Sequence, residues 1–213
     1  MKPVIFNQNS ASMNSYLLAY KDECVVIDPG FNGEDILAYI ELHQLKLIKI
    51  LLTHGHFDHI RDIRLLSKKY DFVVYIHQAD KPMLSDDKLN YSNFFGSSFK
   101  IKDDIKVIEL NHEDTIDFGR DLFRLYHTPG HTQGSSCFLY QRMLFTGDTL
   151  FEGDLGRTDL ISGSQKLLEK SIVQLFRWMT NEIIVYPGHE NQTTIGEERK
   201  NNLYVIRILK NSK

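Results

Sequence analysis

Thr53-His54-Gly55-His56-Phe57-Asp58-His59 sets three histidines and an aspartate within six residues. The run begins where Ile48-Lys49-Ile50-Leu51-Leu52-Thr53 reads as a buried strand. His54 and His56 are two residues apart, so an extended backbone aims both imidazoles to one side. Gly55 lets the chain bend closely between them, and Asp58 is placed to cap a helix running from about His59 to Lys69. Neutral imidazole and carboxylate are the donors that a borderline ion such as Zn²⁺ prefers. The chain holds 9 histidines, and shuffling would produce an HxHxDH run in about one chain in a thousand. A chance cluster on a solvated turn is a poor account of it.

The same arrangement, a donor just beyond an apolar strand, recurs downstream. His127-Thr128-Pro129-Gly130-His131 follows Phe123–Tyr126, and its Pro-Gly turn presents His131. Phe145-Thr146-Gly147-Asp148-Thr149 follows the strand Met143–Phe145 and offers Asp148. Tyr186-Pro187-Gly188-His189-Glu190 follows Ile183–Tyr186 and offers His189. Donors so placed gather at one end of the sheets, where ligand sites of α/β folds lie. Further strands are predicted at Val25–Ile27, which stops at Asp28-Pro29-Gly30, and at Val73–Ile76, Lys106–Leu110 and Ser136–Tyr140. Glu34–His43 reads as a helix with Ile36, Leu37 and Ile40 on one face. Ser164 caps another that carries Leu168, Ile172, Leu175, Phe176 and Met179. Residues 85–100 show no period and read as a surface loop or lid. Two sheets that bury one face on each other and cover the opposite faces with helices satisfy this pattern.

Composition narrows the class. A chain of 213 residues, 42% hydrophobic and 25% charged, suits one globular domain spanning 1–213. A net charge of −3 gives no electrostatic footprint for nucleic acid. The start, Met1 to Asn7, turns polar too soon for a signal peptide, and no apolar run approaches the roughly 18 residues of a membrane span. Cys24 and Cys137 form no CxxC pair, so a reducing cytoplasm is the expected setting and neither is expected as a ligand or nucleophile. No GxSxG motif offers a serine nucleophile.

The THxHxDH, HTPGH, GDTLF and PGHE runs resemble the ordered motif set of the metallo-β-lactamase superfamily. Their spacing is most similar to its glyoxalase II-like (hydroxyacylglutathione hydrolase-like) thioesterase branch, and the match runs from Asp28 to about Tyr204. The resemblance implies an α/β fold, a four-layer αβ/βα sandwich of two similar halves. It implies two divalent metal ions, Zn first and Fe or Mn next. One is held by His54, His56 and His131, the other by Asp58, His59 and His189, with Asp148 and a hydroxide bridging them. The two ions, two carboxylates and hydroxide leave about one positive charge, suited to an oxyanion. Asp58 and Asp148 thereby enter catalysis, and the implied reaction is hydroxide attack on an acyl thioester such as S-lactoylglutathione.

Around this set, the resemblance puts Asp28 beside the metals as support, with plain turn chemistry as its other reading. His127 is expected outside the ligand set, in a structural or supporting role. Arg157 matches a basic residue that contacts glutathione in glyoxalase II relatives, and a guanidinium fork suits a substrate carboxylate. A salt bridge holding its own loop is the competing role. His43, His77 and His112 lie outside the motifs and read as surface or helix-end residues. Two departures matter: Ile60-Arg61-Asp62 stands where relatives commonly have Ile-Gly-Gly, and only 23 residues follow Glu190. No C-terminal helical substrate domain is therefore expected, and the chain resembles the short members of the branch. A small-molecule substrate is expected, with no nucleic acid or membrane partner. Two alternatives stay open, a lactonase and a persulfide dioxygenase with one iron on His54, His131 and Asp148. A degenerate binding module predicts missing ligands, and none is missing.

Overall fold

The apolar runs become strands of two six-stranded sheets in the computed structural model, which describes residues 2–7 and 13–212. Met1, at the head of the polar start, lies outside the described residues. The chain divides into two compact units, residues 1–110 and 111–213, with one sheet in each.

In the first unit β1 (Val4–Phe6), β2 (Ser15–Tyr20), β3 (Glu23–Ile27), β4 (Lys46–Leu51), β5 (Val73–His77) and β6 (Lys106–Leu110) lie side by side in chain order. β1 to β3 pair antiparallel and β3 to β6 parallel. Parallel neighbours need a crossover, supplied between β3 and β4 by α1 (Gly33–Leu42). Ile36, Leu37 and Ile40 of α1 pack with Val26, Ile50 and Val74 of the sheet. Val25, Ile27 and Leu51, which alternate with these, are buried as well. Strands buried on both faces carry continuous apolar runs, as these do.

In the second unit β7 (Thr115–Phe118), β8 (Asp121–His127), β9 (Ser136–Tyr140), β10 (Met143–Gly147), β11 (Ile184–Pro187) and β12 (Thr193–Thr194) also lie in chain order. β10 and β11 are parallel, and the remaining pairs are antiparallel. The parallel pair is bridged by α4 (Gln165–Trp178), whose predicted cap Ser164 accepts a hydrogen bond from the Leu167 amide. Leu168, Ile172, Leu175 and Phe176 pack with Leu144 and Val185, joined by α5 (Ile195–Asn201) and α6 (Leu203–Asn211). No helix among the described residues is long and apolar enough to cross a membrane.

One sequence expectation is corrected. The helix predicted from His59 to Lys69 is two short pieces, α2 (Phe57–Ile60) and α3 (Ile63–Leu66). Its N-cap is His56, and Asp58 sits inside the first turn. The cause is Asp62. Its amide donates to the carbonyls of Pro29 and Gly30 at 3.0 and 3.1 Å instead of continuing the helix ladder. Its carboxylate accepts from the Gly33 amide at 2.8 Å. The turn after β3 is thus drawn onto the histidine run, so closely that a Cβ at Gly30 would overlap the carbonyl oxygen of Asp58. Gly30→Ala is expected to lower stability by about 1–3 kcal/mol, the usual range for overpacking. The urea-unfolding midpoint tests this, and an unchanged midpoint would show that the contact is not tight.

Candidate metal centre

The first unit carries four of the predicted ligands at the exit of β4. There the Thr53 amide donates to Asp28 Oδ1 at 2.8 Å, and the Thr53 hydroxyl donates to Asp28 Oδ2 at 2.6 Å. Asp28 Oδ2 also lies 3.0 Å from His59 Nδ1. Asp28 is 2% exposed and holds a left-handed backbone, φ 50°. A residue with a Cβ adopts that conformation only when its surroundings over-determine it. Here the determinant is a carboxylate that ties the end of β3 to both ends of the histidine run.

The rings of His54 and His56 stand edge to face with centroids 4.8 Å apart, and His54 and His59 are 4.1 Å apart. All three histidines are buried. His59 Nε2 lies 3.9 Å from Asp58 Oδ2. Between the first two histidines, the Gly55 amide donates to the carboxylate of buried Asp80 at 3.2 Å. Nothing in the sequence singles out Asp80, a lone acid in the 3-10 turn Gln78–Ser85.

The second unit carries the other three. His131 Nδ1 lies 2.8 Å from the carbonyl oxygen of Arg157, and its Nε2 lies 3.4 Å from Asp148 Oδ2. The same carboxylate oxygen is 3.7 Å from His189 Nε2. Two ligand atoms of one tetrahedral ion, each about 2.0–2.1 Å from it, stand about 3.4 Å apart. The spacing within this half is therefore that of a ligand shell. The loop that brings Arg157 back to His131 passes so near that a Cβ at Gly156 would overlap the carbonyl oxygen of Asp148. The hydroxyls of Thr128 and Thr149, 2.9 Å apart, fasten the HTPGH run to the GDT run. Imidazole and carboxylate donors suit zinc, iron or manganese.

The remaining predicted residues fall as follows. The Arg157 guanidinium donates two 2.7 Å hydrogen bonds to Asp159, both side chains being exposed. That fork holds the Asp159 carboxyl down at about 2. The role sequence reasoning missed is that of the Arg157 carbonyl, because a backbone acceptor leaves no trace in residue type. His127 Nε2 lies 2.8 Å from the Gln133 carbonyl, so its ring braces the turn ahead of β9. His43 ends α1 and His112 stacks on Trp178. His77 is buried at a helix start, where its Nδ1 accepts from the Ala79 amide. Cys24 and Cys137 are free and buried, and burial pushes their thiols up to about 12 and about 11. Both stay protonated at neutral pH, and neither is an activated nucleophile.

Comparison with known proteins agrees with these features. The family model described as the metallo-beta-lactamase superfamily matches residues 12–189. The chain is 35% identical over 195 residues to YqgX, a probable metallo-hydrolase of Bacillus subtilis, covering 90% of this chain and 92% of that one. It is 31% identical over 193 residues to the hydroxyacylglutathione hydrolase GloC of Haemophilus influenzae, covering 88% and 91%. Among solved structures, the BLEG-1 B3 metallo-beta-lactamase is similar with a TM-score of 0.88 and 33% identity, covering 96% of this chain and 99% of that one.

A carboxylate on the outer nitrogen of a ligating histidine fixes its tautomer and raises its basicity. Asp28→Ala is expected to weaken metal binding roughly 10–100-fold, the usual loss for such a partner. Competition with a chromophoric chelator measures it, and an affinity equal to wild type would confine Asp28 to turn chemistry.

Proposed function

Because the chain belongs to the metallo-β-lactamase superfamily, we propose that it is a two-metal hydrolase that cleaves an acyl thioester. His54, His56 and His131 would hold one divalent ion and Asp58, His59 and His189 the other, with Asp148 shared and zinc the leading metal. When bound, two such ions supply a water acidic enough to ionise at neutral pH and a Lewis acid for the acyl oxygen.

The observation that carries the reading is the position of Asp148. One largely buried carboxylate oxygen stands between His131 Nε2 and His189 Nε2, as a shared ligand must. Asp28 and the Arg157 carbonyl take the outer nitrogens of His59 and His131. In each imidazole Nδ1 then carries the proton and Nε2 keeps its lone pair. In the net reaction a water oxygen bonds to the acyl carbon, the C–S bond breaks, and a carboxylic acid and a thiol are released. The thioester as substrate is supported by the likeness to GloC, which makes S-lactoylglutathione the first thioester to assay.

The decisive experiment compares anaerobic and aerobic turnover of metal-loaded protein. Under nitrogen it should release thiol from S-lactoylglutathione, and Asp148→Ala should lower the rate roughly a thousand-fold, about 4 kcal/mol. Iron-dependent oxygen uptake with glutathione persulfide, and no anaerobic thiol release, would instead identify a dioxygenase. Cleavage of a lactone or a β-lactam with inert thioesters would move the chain to another hydrolytic branch.

The Arg157 side chain is proposed as a carboxylate anchor in competition with Asp159. Arg157→Ala retains the carbonyl that faces His131, so kcat should be kept while KM for S-lactoylglutathione rises several-fold. Asp159→Asn should lower that KM by freeing the fork. If Arg157→Ala mainly lowers kcat, the loop serves the metal site and not the substrate.

A further inference from the structure

Residues 85–100 are pinned to the histidine run while presenting bare aromatic surface. The Phe57 amide, between His56 and Asp58 in sequence, donates to the Asn90 carbonyl at 2.8 Å. The next residue, Tyr91, has its ring 5.5 Å from that of His56 and a left-handed backbone, φ 63°. Such a φ is an outlier for a bulky residue and persists only where the surroundings hold it. The holding groups are evident. The buried Asn90 side chain donates to the Met83 and Phe99 carbonyls and accepts from the Ser92 amide. Asp87 accepts from the hydroxyls of Ser92 and Ser98 and from the Phe99 amide.

On this braced loop Phe94 is 83% exposed and Phe95 53% exposed. Their rings form a chain that leads back to the ligand run. Phe94 meets Phe95 at 6.1 Å, and Phe95 meets Phe57 at 5.5 Å and Phe31 at 6.2 Å. A single exposed phenylalanine needs no explanation, but contiguous apolar surface on a rigid support beside a site marks ligand contact.

We propose that the Tyr91–Phe95 segment is the acyl-recognition element of the enzyme, and that the preferred thioester carries an apolar acyl group. This rests on the thioester reading above. In any such substrate the acyl substituent and the sulfur are both bonded to the carbon attacked at the metals. The Arg157 side chain is proposed above for the thiol part, which leaves the surface beside the histidine run to the acyl substituent. There Tyr91 and the Phe57–Phe95–Phe94 rings offer it an apolar surface, while Arg61, the cation packed on this chain of rings, is engaged on the Phe31 face 4.4 Å from its centroid. Lactoyl, with its hydroxyl, would use that surface poorly.

The test uses acetyl, lactoyl and hexanoyl thioesters of N-acetylcysteamine with metal-loaded wild type, Phe94→Ser and Phe94→Leu. Wild type should favour hexanoyl over acetyl roughly tenfold or more in kcat/KM. Phe94→Ser should cut kcat/KM for hexanoyl several-fold more than for acetyl and so erase most of that preference, and Phe94→Leu should restore it. Equal turnover of the three thioesters, or a preference untouched by Phe94→Ser, overturns the inference and leaves the thioesterase reading standing. Calorimetric binding of the hexyl and methyl thioethers of N-acetylcysteamine covers the converse case. If no thioester is cleaved, that reading fails, yet a hexyl preference lost in Phe94→Ser still supports the apolar recognition element. No hexyl preference overturns it.

Discussion

The carboxylate of Asp28 receives the Thr53 amide, the Thr53 hydroxyl and the outer nitrogen of His59 while almost wholly removed from water. A charge so buried is tolerated only when its lone pairs are filled by donors of good geometry. Those donors sit at the two ends of the histidine run, so the run must close around the carboxylate for the chain to fold there at all. The left-handed backbone of Asp28, the break between α2 and α3 and the close approach of Gly30 to Asp58 all serve that closure. Local geometry is given up so that one ion can be satisfied.

The second unit solves the same problem with neutral groups. His131 faces a backbone carbonyl instead of a carboxylate, and the loop that delivers it is pressed onto the backbone of Asp148 at Gly156. A carbonyl orients an imidazole but raises its basicity less than a carboxylate does. The two proposed ion sites therefore differ in donor strength as well as donor type, and the one served by His59 and Asp58 is the richer in negative charge.

Much of the fold was legible in the sequence because the candidate ligands are side chains at strand exits, and strands with donors behind them leave a linear pattern. The four motifs, the strand before each and the Ser164 cap all appear where the residues put them. The illegible parts depend on contacts far apart in sequence. The helix break follows from Asp62 meeting the turn at Pro29 and Gly30, which no window around residue 60 contains. Asp80 reaches Gly55 from 25 residues away, and the Arg157 carbonyl carries no residue identity. One local signal was overlooked. Thr194-Ile195-Gly196-Glu197 has the spacing of a helix start, and Thr194 does cap α5.

The two free cysteines are distributed one to each unit, Cys24 on β3 and Cys137 on β9. Each is sealed from solvent and held protonated by burial, so an alkylating reagent can reach it only when its own unit opens. The chain thus carries a built-in pair of clocks for local opening. Peptide mapping after timed alkylation would read out the two halves separately, and metal loading would slow whichever half the ions hold shut.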